Sequence, residues 1–379
     1  MRQRYYWSVL VFWFVVFEAM AMQVRGPLLV SFQSAFDLSE GQLGLIAPAG
    51  TAGFLIAILS VGIQTGRINL VRVLMIGAVG SVLTTVLIGL SVSFSMLLAF
   101  ILLQGVMAGV FRAIDRPILS HLYPVNRGRV FSIYTFVWAI GAAAAPIVVN
   151  VFLSIGGWRL VYAVLAVGFV VPPLLMLFVG RPDQLDNEEQ LSPELLKTIV
   201  RRPAIVGMGL GMVFSGLIEG ILFTWLPYYA AQFFPSSTAN LLLSVYLASY
   251  IPGRLFYGYL SEKISYRKLL LSIFVLSVPS YLVFVSSTGR VMIGSIALTG
   301  FLFSGVFPAF LAYGVETVPE HSGPINAIAT GMTFVGLSVS PALVGVIADV
   351  SDINTAMYVP FLFIFGSLVV TVLIPQSKG

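Results

Sequence analysis

The sequence predicts an all-α integral membrane protein, with twelve transmembrane helices arranged as two pseudo-symmetric six-helix bundles. Composition is the first observation behind this reading. The 379 residues are 58% hydrophobic and only 9% charged, and the mean hydropathy is +0.99. A soluble domain carries about 25% charged residues. The second observation is recurrence: apolar runs of about 20 residues repeat along the chain, each long enough to cross a ~30 Å hydrocarbon core. The third is that the longest polar segment, residues 180–203, falls at mid-chain with six runs on either side.

In chain order the predicted spans cover residues 7–29, 42–63, 72–93, 95–118, 130–153 and 158–179 in the first half. In the second they cover 204–229, 238–260, 268–286, 291–314, 325–348 and 355–374. Residues 1–180 are thus expected to form the N-terminal bundle and 204–379 the C-terminal bundle. Residues 181–203 form a cytoplasmic linker that carries Asp186, Glu188 and Glu189 and ends in a short amphipathic helix. Arg2 and Arg4 before the first run, with Ala19-Met-Ala21 after it, have the outline of a signal peptide. Two points argue against that reading: cleavage would leave an odd number of spans, and Glu18 would be out of place in a signal peptide. Basic residues set the orientation. With the N-terminus inside, Arg67, Arg72, Arg127, Arg129, Arg181, Lys197, Arg201, Arg202, Lys263, Arg267, Lys268 and Lys378 are cytoplasmic, whereas Arg159 and Arg290 face out. Both termini are then cytoplasmic, in a plasma or inner membrane.

Several function classes are disfavoured. There is no cysteine, so disulfides, thiolate chemistry and Cys-based metal sites are absent. His121 and His321 are the only histidines, and each lies beside a loop. No Gly-x-x-x-x-Gly-Lys-Ser/Thr loop or Gly-x-Ser-x-Gly elbow occurs, so neither ATP hydrolysis nor enzymatic activity is expected. The net charge of +5 is spread over loops rather than gathered on a face, which speaks against nucleic acid. No cofactor or metal is expected, and the expected partners are lipids and a small-molecule substrate.

Residues 258–268, between the eighth and ninth runs, read Gly258-Tyr-Leu-Ser-Glu-Lys263-Ile-Ser-Tyr-Arg-Lys268. This order resembles the loop signature of the major facilitator superfamily. The first half answers with Gly62-Ile-Gln-Thr-Gly-Arg67, in which Gly66 stands at the acidic position. Gly157-Trp-Arg159, Trp225-Leu-Pro227 and Pro341 through Gly345 to Asp349 are similar to further motifs of that family. Gly141-Ala-Ala-Ala-Ala-Pro146 resembles its antiporter motif, with Ala145 replacing a glycine. The resemblance implies two halves that rock about a central site. It also implies that Glu262 and Arg267, with Arg254 nearby, belong to a network holding one face closed. Gly258 is expected to let two helices approach closely.

Charge at membrane depth is costly and must face a partner or a cavity. Glu18 lies about 16 Å along the first helix, and Arg25 follows seven residues later on the same face. In the fourth span Gln104, Ala108, Arg112 and Asp115 form one stripe, in which Arg112 and Asp115 can pair. Glu219 is the repeat counterpart of Glu18. These positions make Arg25, Arg112 and Gln104 the candidate substrate residues and Glu18 and Glu219 the candidate proton-coupling acids. Glu18 is expected to be the principal one. Asp115, Gly258, Glu262, Arg254 and Arg267 are expected to be gating or structural. Trp225, Tyr228 and Tyr229 are read as interface anchors, with an aromatic cage as the alternative. The function expected is proton-coupled secondary transport of a small organic anion by a monomer. Export of hydrophobic or cationic drugs, and a non-transporting sensor of the same fold, stay open as alternatives.

Overall fold

The computed structural model describes residues 2–64, 69–179, 193–318 and 321–375. Gly66, Arg67, Arg181, the acidic run of the linker and Lys378 lie outside the described residues, as do the side chains of Arg2 and Arg127. Among the described residues the secondary structure is helical throughout. The elements are α1 Arg2–Gln23, α2 Leu29–Phe36, α3 Glu40–Leu43, α4 Ile46–Gln64, α5 Leu70–Gly89, α6 Phe94–Leu122, α7 Arg127–Gly156, α8 Trp158–Phe178 and α9 Pro193–Val200. They continue as α10 Pro203–Ala230, α11 Ser236–Ala248, α12 Tyr250–Ser261, α13 Tyr266–Ser286, α14 Gly289–Phe303, α15 Val306–Thr317, α16 Ser322–Val350, α17 Ile353–Ala356 and α18 Val359–Leu373. Among the described residues eleven helical stretches are long and apolar enough to cross a membrane, and they overlap eleven of the predicted spans. The remaining span, the eighth, is the pair α11 and α12.

Proline explains where helices break. A proline has no N–H to give to the carbonyl four residues earlier, and its ring crowds that carbonyl. α1 stops at Gln23, four residues before Pro27, and α11 stops at Ala248, four before Pro252. The breaks after Leu43, Phe303 and Ala356 stand in the same relation, to within a residue, to Pro48, Pro308 and Pro360. Pro117, Pro146, Pro279 and Pro341 are instead carried inside continuous helices.

The chain divides into two compact units, one of residues 1–37 with 49–190 and one of residues 38–48 with 191–379. In the first, α1 packs on α7 and α8, while α5 packs on α6 and α8. In the second, α10 packs on α16 and α18, and α13 on α14 and α18. One contact recurs in both units. A side chain at Gly141 of α7 would strike the Val16 carbonyl of α1, and one at Gly216 of α10 would strike the Thr333 carbonyl of α16. Absence of a side chain is thus what lets the first and fifth spans of each half touch backbone to backbone.

Residues 38–48, assigned from sequence to the N-terminal bundle, cluster with the second unit. Ser39 caps α3 through the Gln42 amide and donates its hydroxyl to Asp349 at 2.9 Å. Tyr228 donates to Glu40 at 2.9 Å. Beyond α16, the exposed Asp352 caps α17. The backbone N–H and then the hydroxyl of Thr355 hold its carboxyl below the usual range.

Candidate functional site

The buried charges of the first unit form two rungs between neighbouring segments. In the lower rung Nη1 of Arg112 donates to Oε2 of Glu18 at 2.5 Å. Nε of the same guanidinium lies 3.3 Å from Oδ2 of Asp115, one turn further along α6. Tyr134 of α7 donates its hydroxyl to that same Oδ2 at 2.5 Å. Its ring lies 5.1 Å from the Arg112 guanidinium and 5.2 Å from that of Arg116. Oδ1 of Asp115 is buried and has no hydrogen-bond partner among the described residues. One arginine therefore serves two carboxylates. The predicted Arg112–Asp115 pair is present, but Glu18, placed on a separate stripe by sequence, shares it.

In the upper rung Nη2 of Arg25 donates to Oε1 of Gln104 at 2.8 Å. Partner numbers rise on one segment as they fall on the other, so the two run antiparallel. Arg25 is 5% exposed, and among the described residues no carboxylate comes within ion-pair distance of it. Its guanidinium occupies the space that a side chain at Gly50 of α4 would need. The two rungs thus differ in charge: the lower holds a cation between two acids, the upper a cation against a neutral amide.

The second unit has no such ion pair among its described residues. Glu219 of α10 accepts a hydrogen bond from the hydroxyl of Tyr250 at 2.7 Å. The Tyr250 hydroxyl is in turn 3.0 Å from that of Tyr246, one turn earlier and across the Ser249 break. Arg254 lies with its guanidinium 5.5 Å from the Tyr250 ring. Phe223, on the helix face expected for Glu219, meets Tyr246 edge-on at 6.2 Å.

The loop signature behaves differently from its expected packing. Nothing stands within 4 Å of where a side chain at Gly258 would begin. The close approach expected there is made by Gly253, where a side chain would meet the Phe301 carbonyl and Ser304. Glu262 is exposed at the end of α12 and has no partner among the described residues. The Lys263 amine contacts the Tyr259 hydroxyl. Arg267 donates to the carbonyls of Thr371 at 3.2 Å and Val372 at 2.5 Å, so it caps the C-terminal end of α18 within its own unit. Trp225 and Tyr229 are core residues rather than interface anchors or an open cage. Trp225 donates to the Pro341 carbonyl at 3.0 Å and Tyr229 to that of Val285 at 3.0 Å, both from buried positions.

Sequence reasoning missed four tyrosines. Tyr134 and Tyr250 partner the buried acids, Tyr246 partners the Tyr250 hydroxyl, and the Tyr162 hydroxyl is buried without a hydrogen-bond partner among the described residues. The available signal was a phenol within a predicted span, where a buried hydroxyl normally finds a partner.

A family model described as Major Facilitator Superfamily matches residues 11–236 and 208–379. The chain is 26% identical over 330 residues to the 3-(3-hydroxy-phenyl)propionate transporter of Escherichia coli strain K12, covering 83% of this chain and 77% of that protein. It is 23% identical over 358 residues to the fosmidomycin resistance protein of the same strain, covering 91% and 87%. Among solved structures it resembles a bacterial homolog of the human lysosomal transporter Spinster. That match has a TM-score of 0.84 and 16% identity, covering 98% of this chain and 97% of the other. With its helical units, its buried charges and a family match running from residue 11 to residue 379, the chain belongs to the Major Facilitator Superfamily.

Proposed function

We propose that the chain is a secondary active transporter that moves a small organic anion across a cell membrane by alternating access, driven by protons. The observation that carries the anion reading is the contrast between two buried arginines. Arg112 is neutralised by Glu18 and Asp115, whereas Arg25 has only the amide of Gln104. An uncompensated buried cation is costly, and an anionic substrate relieves that cost. Arg25 and Gln104 therefore serve as the substrate residues, and Arg112 keeps the acids of the first unit in place. The E. coli relative named for 3-(3-hydroxy-phenyl)propionate supports the same class.

For coupling, the geometry favours Glu219 over Glu18, the reverse of the ranking expected from sequence. A tyrosine hydroxyl can donate to a carboxylate or accept from a carboxylic acid, so Glu219 keeps its partner in either protonation state. A proton on Glu18 would instead break a charge-assisted bond to Arg112. The bias of basic residues supports cytoplasmic termini, and the two-unit chain supports function as a monomer. Drug export is the second reading, favoured by the fosmidomycin resistance relative.

Counterflow in proteoliposomes tests the class. Preloaded 3-(3-hydroxyphenyl)propionate should be exchanged by anionic solutes and not by neutral or cationic ones of similar size. Exchange limited to cationic solutes would contradict the anion reading.

A further inference from the structure

We infer that Gly50 of α4 is a positioning residue for the substrate arginine, leaving the space in which the Arg25 guanidinium is held for an anion; this rests on the anion reading above. Among the described residues, four glycines line the seam between α4 and α6, and three of them answer to backbone. A side chain at Gly53 would strike the Leu102 carbonyl, one at Gly105 the Gly50 carbonyl, and one at Gly109 the Phe54 carbonyl at 2.6 Å. Those three let two helices touch, which is the ordinary use of small residues in a membrane. Gly50 is different. The three atoms nearest to a side chain there all belong to one guanidinium: Nη1, Cζ and Nη2 of Arg25. Its space is filled by a side chain from another segment, not by a helix backbone.

The same guanidinium is fixed from the other side. Nη2 of Arg25 donates to Oε1 of Gln104 at 2.8 Å, and Gln104 is the chain neighbour of Gly105. Gly105 holds α4 against α6 at the level of Gly50: a side chain there would also lie 2.8 Å from the Gly50 carbonyl carbon and 3.0 Å from its Cα. The cation is therefore wedged where the two helices meet, between an amide on α6 and a missing side chain on α4. Arg25, Gly50 and Gln104 are all buried. An arginine side chain is long and rich in rotamers, so a methyl group at Gly50 displaces it instead of moving a helix. Displacement takes the guanidinium out of line with Gln104. It also removes the orientation on which bidentate capture of a carboxylate or phosphate depends. Gly50 thus acts on the anion through Arg25 and needs no contact of its own.

A double-mutant cycle on the full chain in nanodiscs tests this, with Gly50→Ala, Arg25→Gln and the two combined. Glutamine is shorter than arginine and stops before the space at Gly50. Without ligand, Gly50→Ala should lower the melting temperature of the wild type and leave that of Arg25→Gln unchanged. An equal loss in both backgrounds, or no loss in either, overturns the assignment, and failure of both Gly50→Ala proteins to fold counts as an equal loss. Titrations with 3-(3-hydroxyphenyl)propionate, glycerol 3-phosphate and the methyl ester of the first then read the site. Gly50→Ala should weaken the bound anion about tenfold, as for one hydrogen bond to a charged group, and leave the uncharged ester as in wild type. If Gly50→Ala binds the anion as wild type while Arg25→Gln does not, the positioning role is overturned and the anion reading stands. Equal losses for anion and ester in Gly50→Ala mean a packing role and also overturn it. Wild-type protein that binds neither anion, or Arg25→Gln that binds as wild type, overturns the anion reading and this inference with it.

Discussion

Glu18 and Glu219 hold corresponding places in the first helix of each half, but their company differs. Glu18 meets a guanidinium at 2.5 Å, and that guanidinium is shared with Asp115. Glu219 meets a phenol at 2.7 Å, which is backed by a second phenol. The first arrangement is strong only while the acid is charged. The second tolerates either state. The first helix of each half thus carries a buried acid in different company, a guanidinium in one half and a phenol in the other.

The largest expected effect comes from removing the fixed charge. Arg112→Gln leaves Glu18 and Asp115 buried without their cation and should destabilise the protein by about 3–5 kcal/mol. Thermal melts in nanodiscs would show this, and adding Glu18→Gln to the variant should restore part of the loss. A single variant that melts like wild type would erase the difference between the two halves.

Next comes the exchangeable site. Glu219→Gln should abolish accumulation driven by an imposed pH gradient and spare exchange at equal pH, which needs no net proton movement. Glu18→Gln should still respond to the gradient, since Arg112 retains Asp115. A smaller effect is expected from Tyr250→Phe, which keeps the ring and removes the hydroxyl. Gradient-driven uptake should fall about tenfold, as for loss of one hydrogen bond to a charged group. Uptake unchanged in that variant would mean the tyrosine pair is only packing.

Much of the fold was legible in the sequence because one-dimensional hydropathy is enough to find a span. The helix breaks were legible in principle as well, through Pro27, Pro48, Pro252, Pro308 and Pro360. Stripes on single helices were also readable: Gln104, Arg112 and Asp115 do share a face. What could not be read was which stripe faces which. The Glu18–Arg112 and Arg25–Gln104 rungs depend on the antiparallel register of segments some eighty to ninety residues apart. Gly258 shows the converse: its motif predicts a close helix contact, and Gly253 makes that contact instead. Residues 38–48 pack with the second unit because Asp349 and Tyr228 offer partners for Ser39 and Glu40, and no local pattern announces such a long-range match.

The central claim of the proposal is that Glu219, rather than Glu18, is the acid that exchanges the coupling proton. Infrared difference spectra of the purified protein, recorded as pH is stepped, report the carboxylic-acid carbonyl stretch directly and need no substrate. Wild type and Glu18→Gln should both show a pH-dependent band, and Glu219→Gln should lack it. A band that vanishes in Glu18→Gln and persists in Glu219→Gln would contradict the account.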